Sequence, residues 1–443
     1  MDYFHYLQGR LRCEEIPVEE LAARHGTPMY LYSARTLLEH YRKLSEAFRP
    51  AAAPGDEPVI AYSVKANSNL SILRLMRDEG AGFDVVSGGE LYRVLKIGAD
   101  PKKIVFAGVG KTDEEIAAAL DAGILLFNVE SEEELENLNR IATSKRTEAH
   151  CALRVNPDVD PHTHTYIATG KKETKFGVDL ERARRVVARH REFPRAKLVG
   201  LHCHIGSQIT RLEPFVETAQ RIAEFLPECR SLGCEIRWLD FGGGFGIWYK
   251  EKLARPAHEI AEALVPLLRT MNVRLVLEPG RFIVGNAGIL VTRVLYVKQS
   301  GEKNFVICDA GMTDLIRPTL YGAYHRIWPV RTDSGTTGEV PDEERWEGPL
   351  VLSDVVGPIC ESGDFFAKER RLPAAKRGDL LAVFSAGAYG FTMSSNYNSH
   401  PRACEVLVAG TTSKIVTERE TYEDLVRKER IEIFDSISLG SRP

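Results

Sequence analysis

The sequence contains no long hydrophobic run and no marked excess of charge of either sign, and each absence argues against a class of protein. The opening residues, MDYFHYLQGRLRCEE, mix acidic and basic side chains and lack an apolar core, so we expect neither a signal peptide nor a transmembrane segment. The 58 basic and 62 acidic residues leave a formal net charge of -4, which gives no basis for binding nucleic acid or membranes through bulk charge. These absences predict a cytoplasmic protein.

Cysteine is present, but in no spacing typical of a metal or redox site. The eight cysteines form no CxxC pair and no zinc-ribbon pattern. Most are expected to pack as small buried hydrophobic side chains. Cys360 differs from these, because GPICESGD places it between a Gly-Pro turn and two acidic residues instead of inside an apolar run.

Strand and helix patterns alternate along the first two thirds of the chain. Between the predicted strands, seven segments with apolar residues at helical spacing are present, two of them with N-cap residues at Thr112 and Ser131. Eight apolar segments are typical of buried parallel strands: PVIAYSV, GFDVVS, KIVFAG, ILLFNV, HCALRVN, LVGLHCH, IRWLDF and VRLVLE. Eight such units over residues 30–285 predict an α/β fold with a (β/α)8 barrel of the TIM type, which their even spacing favours over a doubly wound sheet.

After residue 285 the pattern changes to strands joined by short turns. GILVTRVLYVKQSGEKNFVICDAG predicts a strand pair around a Ser-Gly turn, and LLAVFSAGAYGF and ACEVLVAGTT predict further strands. The opening stretch RLRCEEI and the strand MYLYS are expected to pair into the same unit. We therefore expect a second, mainly β domain made of residues 1–29 and 286–443.

A lysine ends the first predicted barrel strand, in AYSVKANSN. Lys65 follows an apolar, β-branched run, where a buried ammonium is costly unless something uses it. Two interpretations are open. The side chain can reach water from the strand end, or it is a Schiff-base lysine whose pKa is lowered by desolvation, so that the neutral amine can attack an aldehyde.

Glycines and a hydroxyl mark a candidate phosphate site. Gly242, Gly243 and Gly244 follow the seventh predicted strand in DFGGGFGI, and barrels commonly bind phosphate beyond strands seven and eight. Ser207, in HIGSQ, is placed to donate a hydrogen bond to the same phosphate. A glycine run alone is usually a flexible turn, but its position after this strand favours phosphate binding.

The strand-end residues together suggest pyridoxal 5'-phosphate (PLP), whose aldehyde, phosphate and ring nitrogen each need a partner. Lys65 would form a Schiff base with the aldehyde. Glu278, in EPGR after the eighth strand, would keep the ring nitrogen protonated. His204 is expected to lie flat against the ring, although a packing role is the usual one for any single histidine.

A metal site is the competing interpretation of the same strand ends. His202 and His204 in LHCHIG point to one side of a strand and could bind a metal ion, as in barrel hydrolases. Asp240 and the pair His162 and His164 are the candidate additional ligands. This hypothesis leaves Lys65, the glycine run and EPGR without a function, so we disfavour it.

The assembled motifs resemble the alanine-racemase-like, fold type III family of PLP-dependent decarboxylases, and among these the sequence is most similar to the diaminopimelate decarboxylases. YSVKAN and EPGR are shared with relatives acting on ornithine or arginine. The resemblance spans nearly the whole chain and includes the more specific motifs DLIRPTLYGAYH, CESGDFF and MSSNYN.

The resemblance implies that Lys65 binds PLP covalently, that the three glycines and Ser207 surround its phosphate, and that Glu278 pairs with its pyridine nitrogen. It also implies that the distal carboxylate of the substrate is bound by Arg281, Arg317 and Tyr321. An arginine's planar fork suits such bidentate pairing.

The resemblance further implies a homodimer with shared active sites, because CESGD in this family enters the neighbouring subunit's site. Cys360 would then be the proton donor and Glu361 the partner of the distal ammonium. Tyr389, in SAGAYGF, would contact both cofactor and substrate.

The reaction implied is the decarboxylation of meso-2,6-diaminopimelate to L-lysine and carbon dioxide, the last step of lysine biosynthesis. A related PLP decarboxylase of ornithine, arginine or a D-amino acid is the main alternative, because a few loop residues could retune the pocket. A metal-dependent barrel hydrolase and a non-catalytic PLP-binding protein are the more distant ones.

Overall fold

The N-terminal segment forms a small antiparallel sheet and then contributes one strand to a larger sheet. The computed structural model describes residues 2–51, 56–160, 175–250, 254–332, 335–341 and 343–432. Strands β1 (Phe4–Leu7), β2 (Arg10–Cys13) and β3 (Ile16–Pro17) pair in the order β1-β2-β3. Helix α1 (Val18–His25) follows and leads into β4 (Met29–Ser33), all five residues of which are buried.

The eight apolar segments predicted as strands form a closed parallel barrel. Hydrogen bonding runs from β9 through β11, β12, β13, β5, β6 and β7 to β8, and the pairing of β8 with β9 closes the ring. The predicted (β/α)8 barrel is therefore confirmed. The strands of the ring are β5 (Val59–Ser63), β6 (Gly82–Val85), β7 (Ile104–Phe106), β8 (Leu126–Val129), β9 (Ala149–Asn156), β11 (Ala196–His202), β12 (Trp238–Asp240) and β13 (Arg274–Leu277), with a short β10 (Val178–Asp179) paired to β9.

Helices connect the barrel strands, as the 3.6-residue spacing predicts. Thr112 caps α5 through a reciprocal hydrogen-bonded box with Glu115, and the side chain of Ser131 caps α6. Gly123 ends α5 in the left-handed conformation, with φ of 67°. The helices are α2 (Ala34–Phe48), α3 (Leu70–Asp78), α4 (Gly88–Lys96), α5 (Asp113–Ala122), α6 (Glu132–Ser144), α7 (Leu180–Ala188), α8 (Glu213–Ser231), α9 (Ala257–Thr270) and the single turn α10 (Arg281–Val284).

A second, mainly β unit follows the barrel. Its sheet has the order β18-β17-β15-β14-β4-β20-β21, and β19 pairs with both β14 and β16. Strand β4 lies between β14 and β20, so the N-terminal segment contributes a central strand. The elements are β14 (Gly288–Ser300), β15 (Lys303–Cys308), α11 (Arg317–Tyr321), β16 (Ile327–Pro329), β17 (Leu350–Val356), β18 (Phe365–Pro373), β19 (Leu380–Val383), β20 (Cys404–Ala409), β21 (Thr412–Thr417) and α12 (Tyr422–Val426).

The barrel interior changes from apolar to polar along β8 and β13. Because side chains two residues apart on a strand share a face, Leu126 and Asn128 point the same way, as do Val276 and Glu278 at the end of β13. The first member of each pair belongs to a buried apolar cluster with residues from four other strands, and the second is a buried polar residue. The apolar layer thus forms a floor beneath the polar mouth.

None of the helices in the described ranges combines the length and the apolar character needed to span a membrane.

Candidate active site

A cavity of about 670 Å³ opens at the carboxyl ends of the barrel strands. This is the end where barrel enzymes place their chemistry. Most of the residues predicted for the site line it: Lys65, His204, Ser207, Gly244, Glu278, Arg281, Arg317, Tyr321 and Tyr389.

Lys65 lies in a single 3-10 turn directly after β5 and points at an acidic group. Its Nζ donates a hydrogen bond of 2.5 Å to Oδ2 of Asp84, which stands on the neighbouring strand β6 and is fully buried. Ser63 donates to the same carboxylate oxygen at 2.8 Å. The lysine is therefore held at the cavity wall by the strand next to its own.

The expected depression of the Lys65 pKa is wrong for this arrangement. Burial does lower the pKa, as the sequence argument assumed, but the negative charges of Asp84 and Glu278 outweigh it and raise the pKa above its ordinary value. The two carboxylates lie on other strands, so the run around Lys65 could not reveal them. In this form the side chain is an ammonium.

Glu278 is buried among neutral and cationic partners. Asn128 donates from Nδ2 to its Oε1 at 3.1 Å, and His202 Nε2 lies 3.6 Å from its Oε2. Burial alone would raise the pKa of this carboxyl, but His202, Lys65 and His204 together hold it well below its usual range. Glu278 is thus an anion inside the barrel.

His202, Asp240 and Glu278 could also hold a metal ion, because one ligand atom of each lies within 4.8 Å of the others. The same carboxylates already accept from Asn128, which donates to Asp240 at 2.8 Å. His204 is not part of this group, and its Nδ1 accepts from the backbone of Gly243 instead. His162 and His164 lie outside the described residues.

His204 and the glycine run are joined by a hydrogen bond. The backbone N–H of Gly243 donates to Nδ1 of His204 at 3.1 Å, so the neutral ring carries its proton on Nε2. Burial and the nearby Arg154 lower the pKa of His204 to about 3. The histidine therefore presents a neutral aromatic ring to the cavity.

The glycine run packs too closely for side chains. A Cβ at Gly243 would lie 2.1 Å from the carbonyl oxygen of Glu278, and one at Gly244 would lie 2.3 Å from that of Gly206. Gly242 and Gly244 also have φ of 64° and 91°, which side chains rarely adopt. Of the three glycines, Gly244 lines the cavity, whereas Gly242 and Gly243 are buried.

Arg281 and Arg317 form the cationic wall of the cavity. Arg281 donates to the hydroxyl of Tyr249 at 2.7 Å and to Oγ of Ser207 at 3.0 Å. Its guanidinium carbon lies 4.9 Å from the ring centre of Tyr389. Both arginines are buried, with 6% and 7% of their surfaces exposed.

Cys360 and Glu361 are not brought to this cavity by the chain's own fold. Both are exposed, and neither is among the lining residues. The backbone N–H of Cys360 donates to the side chain of Asn398 at 2.7 Å, which anchors the turn on the surface.

Comparison with known proteins decides the family. Residues 36–285 match the family model described as "Pyridoxal-dependent decarboxylase, pyridoxal binding domain". The diaminopimelate decarboxylase of Aquifex aeolicus is 46% identical over 425 residues, covering 96% of each chain. The chain belongs to the diaminopimelate decarboxylase family.

Solved structures of this family agree in fold over nearly the whole length. Diaminopimelate decarboxylase of Helicobacter pylori, complexed with L-lysine, is 40% identical with a TM-score of 0.85, covering 93% of this chain and 98% of that one. The M. jannaschii enzyme, also in complex with L-lysine, is 38% identical with a TM-score of 0.89, covering 97% and 98%. The predictions of the barrel with a mainly β second unit, of PLP and of a PLP-dependent carboxy-lyase are confirmed.

The residues at the cavity mouth are chemically suited to PLP, the cofactor of this family. Lys65 would react with an aldehyde once its ammonium has lost a proton, the anionic Glu278 suits a protonated ring nitrogen, and Gly244 and Ser207 line the same cavity for a phosphate. His202 is buried, and neither ring nitrogen has a hydrogen-bond partner within the described ranges. The donor set is thus complementary to the three polar ends of the cofactor.

Sequence reasoning missed several residues at this mouth. Asp84 and Asn128 end barrel strands, so the strand-end rule used for Lys65 would have found both. Tyr249 and His325 gave no such signal, because they come from a loop and from a stretch of the β unit that only the fold brings beside the arginines.

We expect Gly243→Ala to lower both thermal stability and PLP affinity, because its Cβ would overlap the Glu278 carbonyl. Overpacking of this kind costs about 1 to 3 kcal/mol. Gly89→Ala is the matched control, since its Cβ would meet only Ser87 Oγ at 3.8 Å. Thermal melts and PLP titration of both variants check this, and equal behaviour would contradict the steric argument.

Proposed function

We propose that this chain removes one carboxylate from meso-2,6-diaminopimelate, releasing carbon dioxide and L-lysine. The observation that carries the choice of substrate is the pair of buried guanidiniums of Arg281 and Arg317. In the described part of the chain, neither forms an ion pair with a carboxylate; their partners are Tyr249, Ser207 and His325.

The electrostatics of the two arginines favour a substrate with a distal carboxylate. Two cations in a site of low dielectric attract an anion strongly, and arginine binds carboxylates through paired hydrogen bonds. Burial and the charge of Arg281 both act to lower the pKa of Arg317. A bound carboxylate would relieve this mutual repulsion.

The cofactor's place is supported by a second group of residues at the strand ends. Lys65 Nζ is the group that would bind PLP covalently, Glu278 would hold a proton on its ring nitrogen, and His204 would lie against its ring. Gly242, Gly243 and Gly244, with Ser207, would surround its phosphate. When bound, PLP supplies the electron sink that makes loss of carbon dioxide feasible.

The proton that replaces the lost carboxylate is proposed to come from Cys360 of a second subunit, with Glu361 binding the distal ammonium. The exposure of both residues and their absence from the lining of the chain's own cavity support this assignment. Tyr321 and Tyr389 would contact the substrate, and Tyr389 also the cofactor. The active unit is thus a homodimer with shared sites.

We also propose a division into a PLP-binding barrel of residues 30–285 and a β-rich domain of residues 1–29 and 286–443, except that β4 (Met29–Ser33) crosses the first boundary and pairs within the β-rich sheet. The second domain would supply the dimer contacts. A cytoplasmic location is supported by the eight cysteines, all of which are free.

The proposed substrate is tested against its rivals by incubating the PLP-loaded protein with meso-diaminopimelate, ornithine, arginine and lysine in parallel. We expect lysine from diaminopimelate and no diamine from the others, because a substrate without a distal carboxylate leaves Arg281 and Arg317 uncompensated. Mass spectrometry measures the products. A diamine from ornithine, arginine or lysine, with no lysine from diaminopimelate, would overturn the choice of substrate while leaving the family intact.

For Lys65→Ala we expect loss of the visible absorbance of covalently bound cofactor together with loss of turnover. Lys65 is the lysine we place at the cofactor. The matched control is Lys102→Ala, whose exposed ammonium donates to the Gly123 carbonyl away from the mouth. Absorbance spectra after PLP addition decide the point, and a retained band would assign the cofactor to another lysine.

For Arg317→Ala we expect kcat/KM for diaminopimelate to fall by a factor of about 30 or more, since losing a buried charged contact costs at least about 2 kcal/mol. Bound PLP should be unchanged, because Arg317 lies on the substrate side. Arg182→Ala, on an exposed part of α7, controls for loss of a cation. Unchanged kinetics would remove Arg317 from the substrate site.

Shared sites predict recovery of activity when two inactive variants are mixed. Lys65→Ala and Cys360→Ala subunits, co-refolded in equal amounts, should form hybrid dimers in which one of two sites is intact. Random pairing then restores about a quarter of wild-type turnover. Recovery after refolding, against each variant refolded alone, is the measurement, and no recovery would place Cys360 in its own subunit's site.

A further inference from the structure

Tyr249 lies where both cationic side chains of the cavity meet. It follows the glycine run, in GIWYK, and lines the cavity. The guanidinium carbons of Arg317 and Arg281 lie 4.8 Å and 5.9 Å from the centre of its ring. The ring of His325 packs edge-on against it, with centres 5.3 Å apart and planes at 81°.

The hydroxyl of Tyr249 fixes Arg281 directly. It accepts from the guanidinium NH1 at 2.7 Å, while NH2 donates to Ser207 at 3.0 Å. Two different acceptors on two nitrogens set the plane of the guanidinium. The ring face near both arginines adds cation–π attraction, which strengthens when the groups are desolvated.

His325 fixes Arg317 in a comparable way. Its Nδ1 lies 2.9 Å from the carbonyl oxygen of Phe384, which can only accept, so Nδ1 carries the proton. Nε2 is then the acceptor for NH1 of Arg317, at 2.8 Å. The histidine is fully buried and therefore cannot rotate freely to another partner.

These acceptors orient the arginines without a carboxylate. Tyr249, Ser207 and His325 offer a phenol, a hydroxyl and an imidazole, whereas an aspartate or glutamate at any of these places would form an ion pair and cancel a charge. A fixed guanidinium loses less entropy on binding an anion, and one without an ionic partner binds it more strongly.

We propose that Tyr249 is a positioning residue that, with His325 behind it, holds Arg281 and Arg317 ready for a carboxylate and so determines the preference for substrates carrying a distal one. The inference rests on the proposed function, since it names how the same substrate site is built. Tyr249 acts through the arginines, not on the bond that breaks.

The test is Tyr249→Phe, which removes the hydroxyl and keeps the ring. We expect KM for diaminopimelate to rise on the order of tenfold to a hundredfold, as for a lost hydrogen bond to a charged group, with kcat changed less than about threefold. Bound-cofactor absorbance and the melting temperature should match wild type. Tyr422→Phe, on an exposed tyrosine of α12, is the control.

A second variant separates the ring from the hydroxyl. Tyr249→Leu removes both, and we expect a larger rise in KM than for Tyr249→Phe at equal cofactor content. If KM is unchanged in Tyr249→Phe, or if kcat and cofactor absorbance fall together with KM unaltered, the positioning role is wrong and Tyr249 supports the fold or the cofactor instead.

Pimelate binding tests the role of Tyr249 independently of the proposed reaction. Pimelate carries two carboxylates and no amine, so calorimetry reports on the arginine site without turnover. Weaker pimelate binding by Tyr249→Phe than by wild type supports the inference even if diaminopimelate is not a substrate; equal binding overturns it. Absence of lysine formation by wild type would overturn the proposed function alone.

Discussion

A half-buried lysine facing two buried carboxylates is the interaction around which the mouth of this barrel is arranged. Lys65 reaches Asp84 at 2.5 Å, and the charge of Glu278 adds to the effect on its pKa. Neither carboxylate would be tolerated as an unpaired anion in such a place, because both are buried and desolvating an ion is costly. Each therefore depends on the closed ring that brings their strands together.

The charged groups of the site fall into two contact sets. The acidic groups Asp84, Asp240 and Glu278 stand at strand ends beside Lys65 and His202, whereas Arg281 and Arg317 contact Tyr249 and no acidic side chain in the described part of the chain. An amino acid with a second carboxylate at its far end is complementary to that separation. Asn128 donates from one amide nitrogen to both Asp240 and Glu278. It therefore holds the two carboxyl groups together without adding charge.

The amino-acid pattern anticipated the barrel because its signal is local. Each parallel strand of a barrel is buried on both faces and so reads as a short apolar run, and the helices between them carry their own caps, such as Thr112. Lys65, Glu278 and the glycine run were found by the same logic, since the carboxyl ends of all strands meet at one mouth. The alternation of Val276 with Glu278 shows the floor and the mouth arising from a single strand.

Local patterns of apolar, polar and capping residues were enough to predict which elements form, which of their ends carry chemistry and which family the motifs indicate. The charge state of Lys65 could not be predicted in this way, because its pKa depends on carboxylates supplied by other strands. The tertiary structure also decided the partners of the arginines, since Tyr249 and His325 are 76 residues apart in the chain and meet only in the folded molecule. Local sequence sets local hydrogen bonding and burial, whereas electrostatic interactions depend on distances in space.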